Sequence, residues 1–180
     1  MTRRLTLCLG VSIAVSAQNV NQHAAILQDF EKRVADYRKL HQDMEAKLPP
    51  LKPTDSPEMI LNHEKALAQA IRQARQPAKQ GDIFTPEIAP EFRRLLRIAK
   101  QGKAAERVEK SLKNAEPVHA PYKINDPYPA GVPLQSTPPT LLLNLPELPK
   151  ELEYRILNHD LILRDAKANL VVDFIPNVIP

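Results

Sequence analysis

Apolar and polar residues alternate at spacings of three and four from residue 20 to residue 48. The series is Val20, His23, Leu27, Phe30, Val34, Tyr37, His41, Met44 and Leu48, with Gln, Asp, Glu, Lys and Arg between. This is a heptad seam over four repeats, and it predicts one helix of about 28 residues, roughly 42 Å long. The run LPPLKP ends it. A second period follows at once. Ser56 suits an N-cap, Pro57 the first helical position and Glu58 the first turn. Ile60, His63, Leu67, Ile71 and Ala74, flanked by Ala70, then mark one face as far as Gln76, and Pro77 stops it. Two helices joined by a short proline-rich turn predict an antiparallel hairpin.

QGDIFTPEIAPEF reads as a turn in which Thr85, Pro86 and Glu87 repeat the cap signature. A third helix is expected over 91–115, with Phe92, Leu95, Leu96 and Ala99 on one side. Gly102 bends or splits it before Ala105, Val108, Leu112 and Ala115 continue the stripe. Nine prolines among residues 117–149 then exclude helix and central strand. The segment is read as an extended strap, and Leu141, Leu142, Leu143 and Leu145 are too apolar for a free linker.

The last stretch changes period. Turn-like breaks at 158–160 and 166–169 divide it into strands over 152–157, 161–165 and 170–175. A meander about these turns is expected to place Leu157, Leu161, Leu163, Leu170, Val172 and Phe174 on one face, docked on the helices. Leu152, Tyr154, Ile156, Ile162, Val171 and Ile175 then lie opposite, with Arg164 and Asp173 as an ion pair. Both faces are apolar, whereas a sheet open to water is polar on one side. The second face therefore needs its own cover: the tail, the strap or another molecule. Tyr154, Ile156, Arg164, Val171 and Asp173 are the candidate partner surface on that face. The fold class is α+β: a helical hairpin plus one or two helices, a proline-rich strap and a small three-stranded antiparallel meander.

The N-terminus is read separately. Arg3 and Arg4 precede an apolar run over 5–15, and Val15 and Ala17 fit a signal-peptidase site with cleavage after Ala17. The run is too short to span a bilayer. TRRLTL resembles a twin-arginine signal only loosely, since Thr6 stands where a large apolar residue is usual. Cys8 follows too little apolar chain to be a lipidated cysteine. The organisation is then a leader over 1–17, a helical region over 18–115, a strap over 116–149 and a meander over 150–180, exported to the periplasm or fully secreted. Cys8 is the only cysteine, so the mature chain has neither disulfide nor thiolate chemistry. With no Trp and 4% aromatics, an aliphatic core is expected. Loss of Arg3 and Arg4 lowers the formal charge from +4 to +2, so global charge selects no partner.

Candidate chemistry is sparse. None of His23, His41, His63, His119 and His159 shares a helix face with another at i, i+4. His41 and His63 meet if the hairpin closes; they are read as polar seam positions setting register, with a metal-binding pair as the alternative. His159 and Asp160 belong to a turn. Four scattered glycines exclude a phosphate-cradling loop, and no serine sits in a nucleophile elbow. Neither enzyme nor cofactor is expected. Arg93, Arg97, Lys100, Lys103, Arg107 and Lys110 form a basic stripe, a solvated face or a weak contact with an anionic membrane surface. Nucleic acid is excluded as a partner by export.

LPELPKELEYRILNHDLILRDAKANLVVDFI resembles the tail of a group of uncharacterised exported bacterial proteins, which carry a proline-rich approach, a Glu-Tyr-Arg strand and a closing Leu/Val-Asp-Phe-Ile strand. The same residues are similar to the C-terminal strand pair of small periplasmic proteins linked to nickel and cobalt homeostasis. Those have aromatic pairs and more Gly where this chain has Arg155, Asn158 and Asn169. The likeness covers no metal ligands; it implies a strand meander and a periplasmic setting. The function expected is a non-enzymatic cell-envelope protein acting on an unknown envelope partner or on itself. The alternative is a periplasmic ligand- or metal-responsive accessory protein.

Overall fold

The structure, a computed structural model, describes residues 12–99, 120–130, 143–157 and 159–178, with side-chain surroundings from residue 22 onward. Helix α1 spans Ser12–Glu45, α2 Pro57–Ala74 and α3 Ile88–Ala99. Strands β1 (Leu152–Leu157), β2 (Asp160–Asp165) and β3 (Leu170–Ile175) form an antiparallel sheet in the order β1-β2-β3. The α+β architecture is the one the periodicities predict. The expected continuation of the third helix, His119, the 131–142 part of the strap and Asn158 lie outside the described residues.

Local chemistry sets the boundaries. Ser56 Oγ accepts from Met59 N at 3.4 Å, and Thr85 Oγ1 from Ile88 N at 3.3 Å, so each cap occupies an otherwise free helix donor. α1 begins inside the expected leader, and its packing against the core starts at Ile26 and Leu27. The seam buries Phe30, Val34, Tyr37 and His41, while α2 answers with Leu67, Ala68 and Ile71. Ile60 and Ala74, expected on the seam of α2, are exposed: Ile60 lies in the first turns, which no described element covers, and Ala74 is the last residue of the helix. Arg75, just past the helix, is buried instead and stacks over the Tyr37 ring.

The core is not purely aliphatic. Three of the four phenylalanines meet at its centre. Phe30 stacks on Phe84 at 5.6 Å between centroids, and Phe92 stands edge-on to both at 4.7 and 5.0 Å, with Tyr154 beyond it. Few aromatics suffice because they cluster. Phe84 and Ile83 come from the α2–α3 loop, which folds inward.

The meander has the expected strands but a different division of faces. Leu152, Tyr154, Ile156, Leu161, Leu163, Leu170, Val172 and Ile175 pack on the helices. Leu157, Ile162, Val171 and Phe174 form a second cluster on the far side. Leu157 pairs with Asp160, which puts Ile156 across from Leu161 and turns Leu157 away. A bulge at Leu163/Arg164 then reverses the alternation of β3 beyond Val172, sending Phe174 out and Ile175 in.

The second face has its cover within the chain. Tyr122 and Tyr128 of the strap close over it. Residues 125–128 also run along the free edge of β3: Asn125 N donates to Val171 O, Val171 N to Asp126 O and Tyr128 N to Asn169 O, each at 2.9 Å. Asn125, at φ 67°, ties this segment to the end of α2. Its Oδ1 accepts from Arg75 Nη1 at 2.8 Å, and its Nδ2 donates to Arg75 O at 3.0 Å.

Candidate functional site

Two aspartates of the meander are fully buried, Asp165 at the end of β2 and Asp173 within β3. A carboxylate in that setting is strongly destabilised unless donors surround it. Asp173 takes its donors from main chain. Oδ2 accepts from Ile83 N and Phe84 N, both at 2.8 Å; Oδ1 accepts from Gly81 N at 2.9 Å and from Phe174 N. It holds the α2–α3 loop, where Gly81 adopts φ 89°, and so seats Phe84 in the core.

Asp165 takes side chains as well. Oδ2 lies 2.6 Å from His41 Nδ1 and accepts from Tyr37 OH at 2.7 Å; Oδ1 accepts from Lys167 N at 3.0 Å and Ala168 N at 2.8 Å. The other nitrogen of His41, Nε2, points at Glu45 Oε2, 3.4 Å away, with no hydrogen-bond partner. Glu45 also meets the Lys167 ammonium, and His63 Nε2 lies 4.0 Å from its Oε1. His41 is thus enclosed by Tyr37 and Glu45 of its own helix, His63 of α2 across Glu45, Asp165 at the end of β2 and, beyond Glu45, Lys167 of the β2–β3 turn.

The electrostatics follow from this geometry. Burial opposes charge on His41, but the hydrogen bond and charge of Asp165, with Glu45 and Glu151, outweigh it and raise its pKa. Burial likewise favours a neutral Asp165, yet the hydrogen bonds from His41, Ala168 and Tyr37 hold it below its ordinary value. Burial, then Asp165, push the Tyr37 hydroxyl well up, so it stays a donor. Both shifts favour an imidazolium on a carboxylate. An Asp–His pair also serves nucleophilic catalysis, but Nε2 here faces a carboxylate, and no described hydroxyl or thiol is bonded to it.

The residues singled out in the sequence are distributed differently from the expectation. The candidate partner surface is not one surface: Tyr154 faces α3, Val171 is covered from the strap side and Asp173 is buried under the α2–α3 loop. Arg164 does not pair with Asp173. It meets Glu153 and donates to Asn169 Oδ1 at 2.7 Å, above the Tyr128 ring, because the bulge puts the two residues on opposite sides. Of the basic stripe, Arg93 donates to Pro176 O at 3.0 Å and Arg97 is exposed; Lys100, Lys103, Arg107 and Lys110 lie outside the described residues. His159 is exposed, and its carbonyl accepts from Val178 N. His41 and His63 do converge through Glu45, but among the described residues no three His, Cys, Asp or Glu are arranged to hold a metal ion.

An open groove of about 460 Å³ runs beside the α2–α3 loop, lined by Lys79, Phe84, Pro86, Phe174 and Pro176 among others, with Lys79 its one charged residue. No described helix is long and apolar enough to cross a membrane. Compared with family models, curated proteins and solved structures, the chain matches none.

Proposed function

We propose that this chain is an exported cell-envelope protein that acts through protein–protein contact. One observation carries the contact reading. Met59, Ile60 and Leu61, on the first turns of α2, are 50%, 46% and 45% exposed, with Leu51 of the preceding loop at 39%. Apolar residues exposed singly are ordinary, but consecutive ones at the tip of a helical hairpin form a patch that water disfavours and a partner can cover. The meander, whose two faces are closed by the helices and the strap, leaves the hairpin tip as the better candidate surface. The short cationic and apolar leader, with the chain's one cysteine inside it, supports export.

Both halves are testable in one strain. Protein recovered from the periplasm is expected to begin at Gln18, or within a residue or two; full-length chain found only in cytosol contradicts export. A photo-crosslinking residue at position 61 is expected to give a discrete protein adduct in intact cells. The same residue at position 69, exposed further along α2, is expected to give none. Absence of an adduct at 61, or equal adducts at both positions, contradicts the contact reading.

A further inference from the structure

The ring around His41 closes on itself. Asp165 accepts from the Lys167 main chain, and the Lys167 side chain reaches Glu45, one turn beyond His41 on α1. Four groups of alternating sign, Asp165, His41, Glu45 and Lys167, therefore join the end of the long helix to the β2–β3 turn. Among the described residues, Asp165 to His41 and Asp165 to Tyr37 are the buried side-chain hydrogen bonds between helix and sheet that involve a carboxylate.

What His41 can do there depends on one proton. Its Nδ1 must donate to Asp165, whose Oδ2 lies 2.6 Å away. If the ring is neutral and Nδ1 keeps its hydrogen, Nε2 presents a lone pair to the Glu45 carboxylate at 3.4 Å. If the hydrogen moves to Nε2, Nδ1 presents a lone pair to Asp165. Neither neutral form satisfies both carboxylates; the imidazolium satisfies both. Water does not relieve the conflict at His41, which is 0% exposed, whereas Glu45 is 31% exposed and free to swing outward. The weaker, wetter side of the ring is the side that opens.

We propose that His41 is a proton-operated clasp: protonated, it holds Glu45 and, through it, Lys167 against the end of α1; deprotonated, it keeps Asp165 and releases Glu45, freeing the Lys167 side of the β2–β3 turn. The charged and titratable groups that bear on it are Tyr37 and Glu45 on α1, His63 on α2, Glu151 before β1, and Asp165 and Lys167 on β2 and its turn. Arg75 is one step removed, over the Tyr37 ring. Three carboxylates favour the proton against one ammonium and burial. The clasp is therefore closed in acid and opens as pH rises through the His41 transition, which the carboxylates move upward where burial without anionic partners would move it downward.

The test is a pH titration of the intact chain by nuclear magnetic resonance, following both ring nitrogens of His41 and the contact between the Lys167 methylenes and Glu45, from about pH 5 to 9. His41 is expected to titrate above an ordinary imidazole, and the Lys167–Glu45 contact to be present below that midpoint and lost above it. In E45Q, whose changed group is partly exposed and outside the core, the His41 midpoint is expected to move down. A His41 that keeps one protonation state throughout overturns the proposal. So does a Lys167–Glu45 contact indifferent to the His41 midpoint, or an E45Q midpoint that stays or rises.

Discussion

Asp165 and Asp173 lie on adjacent strands of one small sheet, both fully buried, each accepting four hydrogen bonds. They differ in what donates. Asp173 is surrounded by main-chain N–H groups, which can only donate. Asp165 has two of those on Oδ1, but on Oδ2 it has a phenol and an imidazole, which can reverse their roles. One aspartate is a fixed fastener for a loop. The other is an adjustable joint between helix and sheet, open to protonation. Burial alone does not distinguish them; the chemistry of the donors does.

That contrast sets the order of effects. Asp173→Asn is the most damaging isosteric change. Either orientation of the amide puts an NH2 against two main-chain donors, so about 3–5 kcal/mol should be lost in urea unfolding. Asp165→Asn should cost less, about 2 kcal/mol, because the amide can donate to Tyr37 and to a neutral His41 that carries its proton on Nε2 and gives it to Glu45. Tyr37→Phe removes one of the four donors to Asp165 and should cost about 1 kcal/mol. Lys167→Ala breaks a pair that is 47% exposed on the lysine side and should change stability by under about 0.5 kcal/mol. Equal losses for the two Asp→Asn changes would erase the distinction.

Much of the fold was legible because it rests on local signals. Pro57 after Ser56, Thr85 before Pro86 and the turn at Asn169, which adopts φ 52°, announce themselves in the chain. The strand limits followed from those turns. The faces were harder. A bulge depends on how β3 pairs with β2, and a single extra residue reverses every position after it. Asp173 carried a visible signal, a charge inside LVVDFI, but its donors are backbone amides about ninety residues away. Main-chain donors have no side-chain signature, so the nearest cation, Arg164, looked like the partner. His41 was legible as a polar break in the heptad seam. Its partner was not, because Asp165 read as the last residue of a strand, and nothing local shows which helix that strand end meets. The core looked aliphatic from a count, since a count does not reveal that three phenylalanines meet.

The pH profile tests the joint at Asp165 most directly. His41 has a folded pKa above its ordinary 6.5. Its contribution is full below that value and is lost as pH rises through the folded pKa. Asp165 has a folded pKa below its ordinary 3.8; its contribution is full above that value and is lost as pH falls through the folded pKa. Between the two ordinary values both contributions are complete. The decisive measurement is the unfolding free energy of the native chain and of Asp165→Asn, taken from about pH 5 to 9. The native chain should lose stability on the alkaline side relative to the variant, so that the difference between them narrows as pH rises. A difference that stays constant across that range would show that the His41–Asp165 joint carries no proton-linked stability, and would contradict the account.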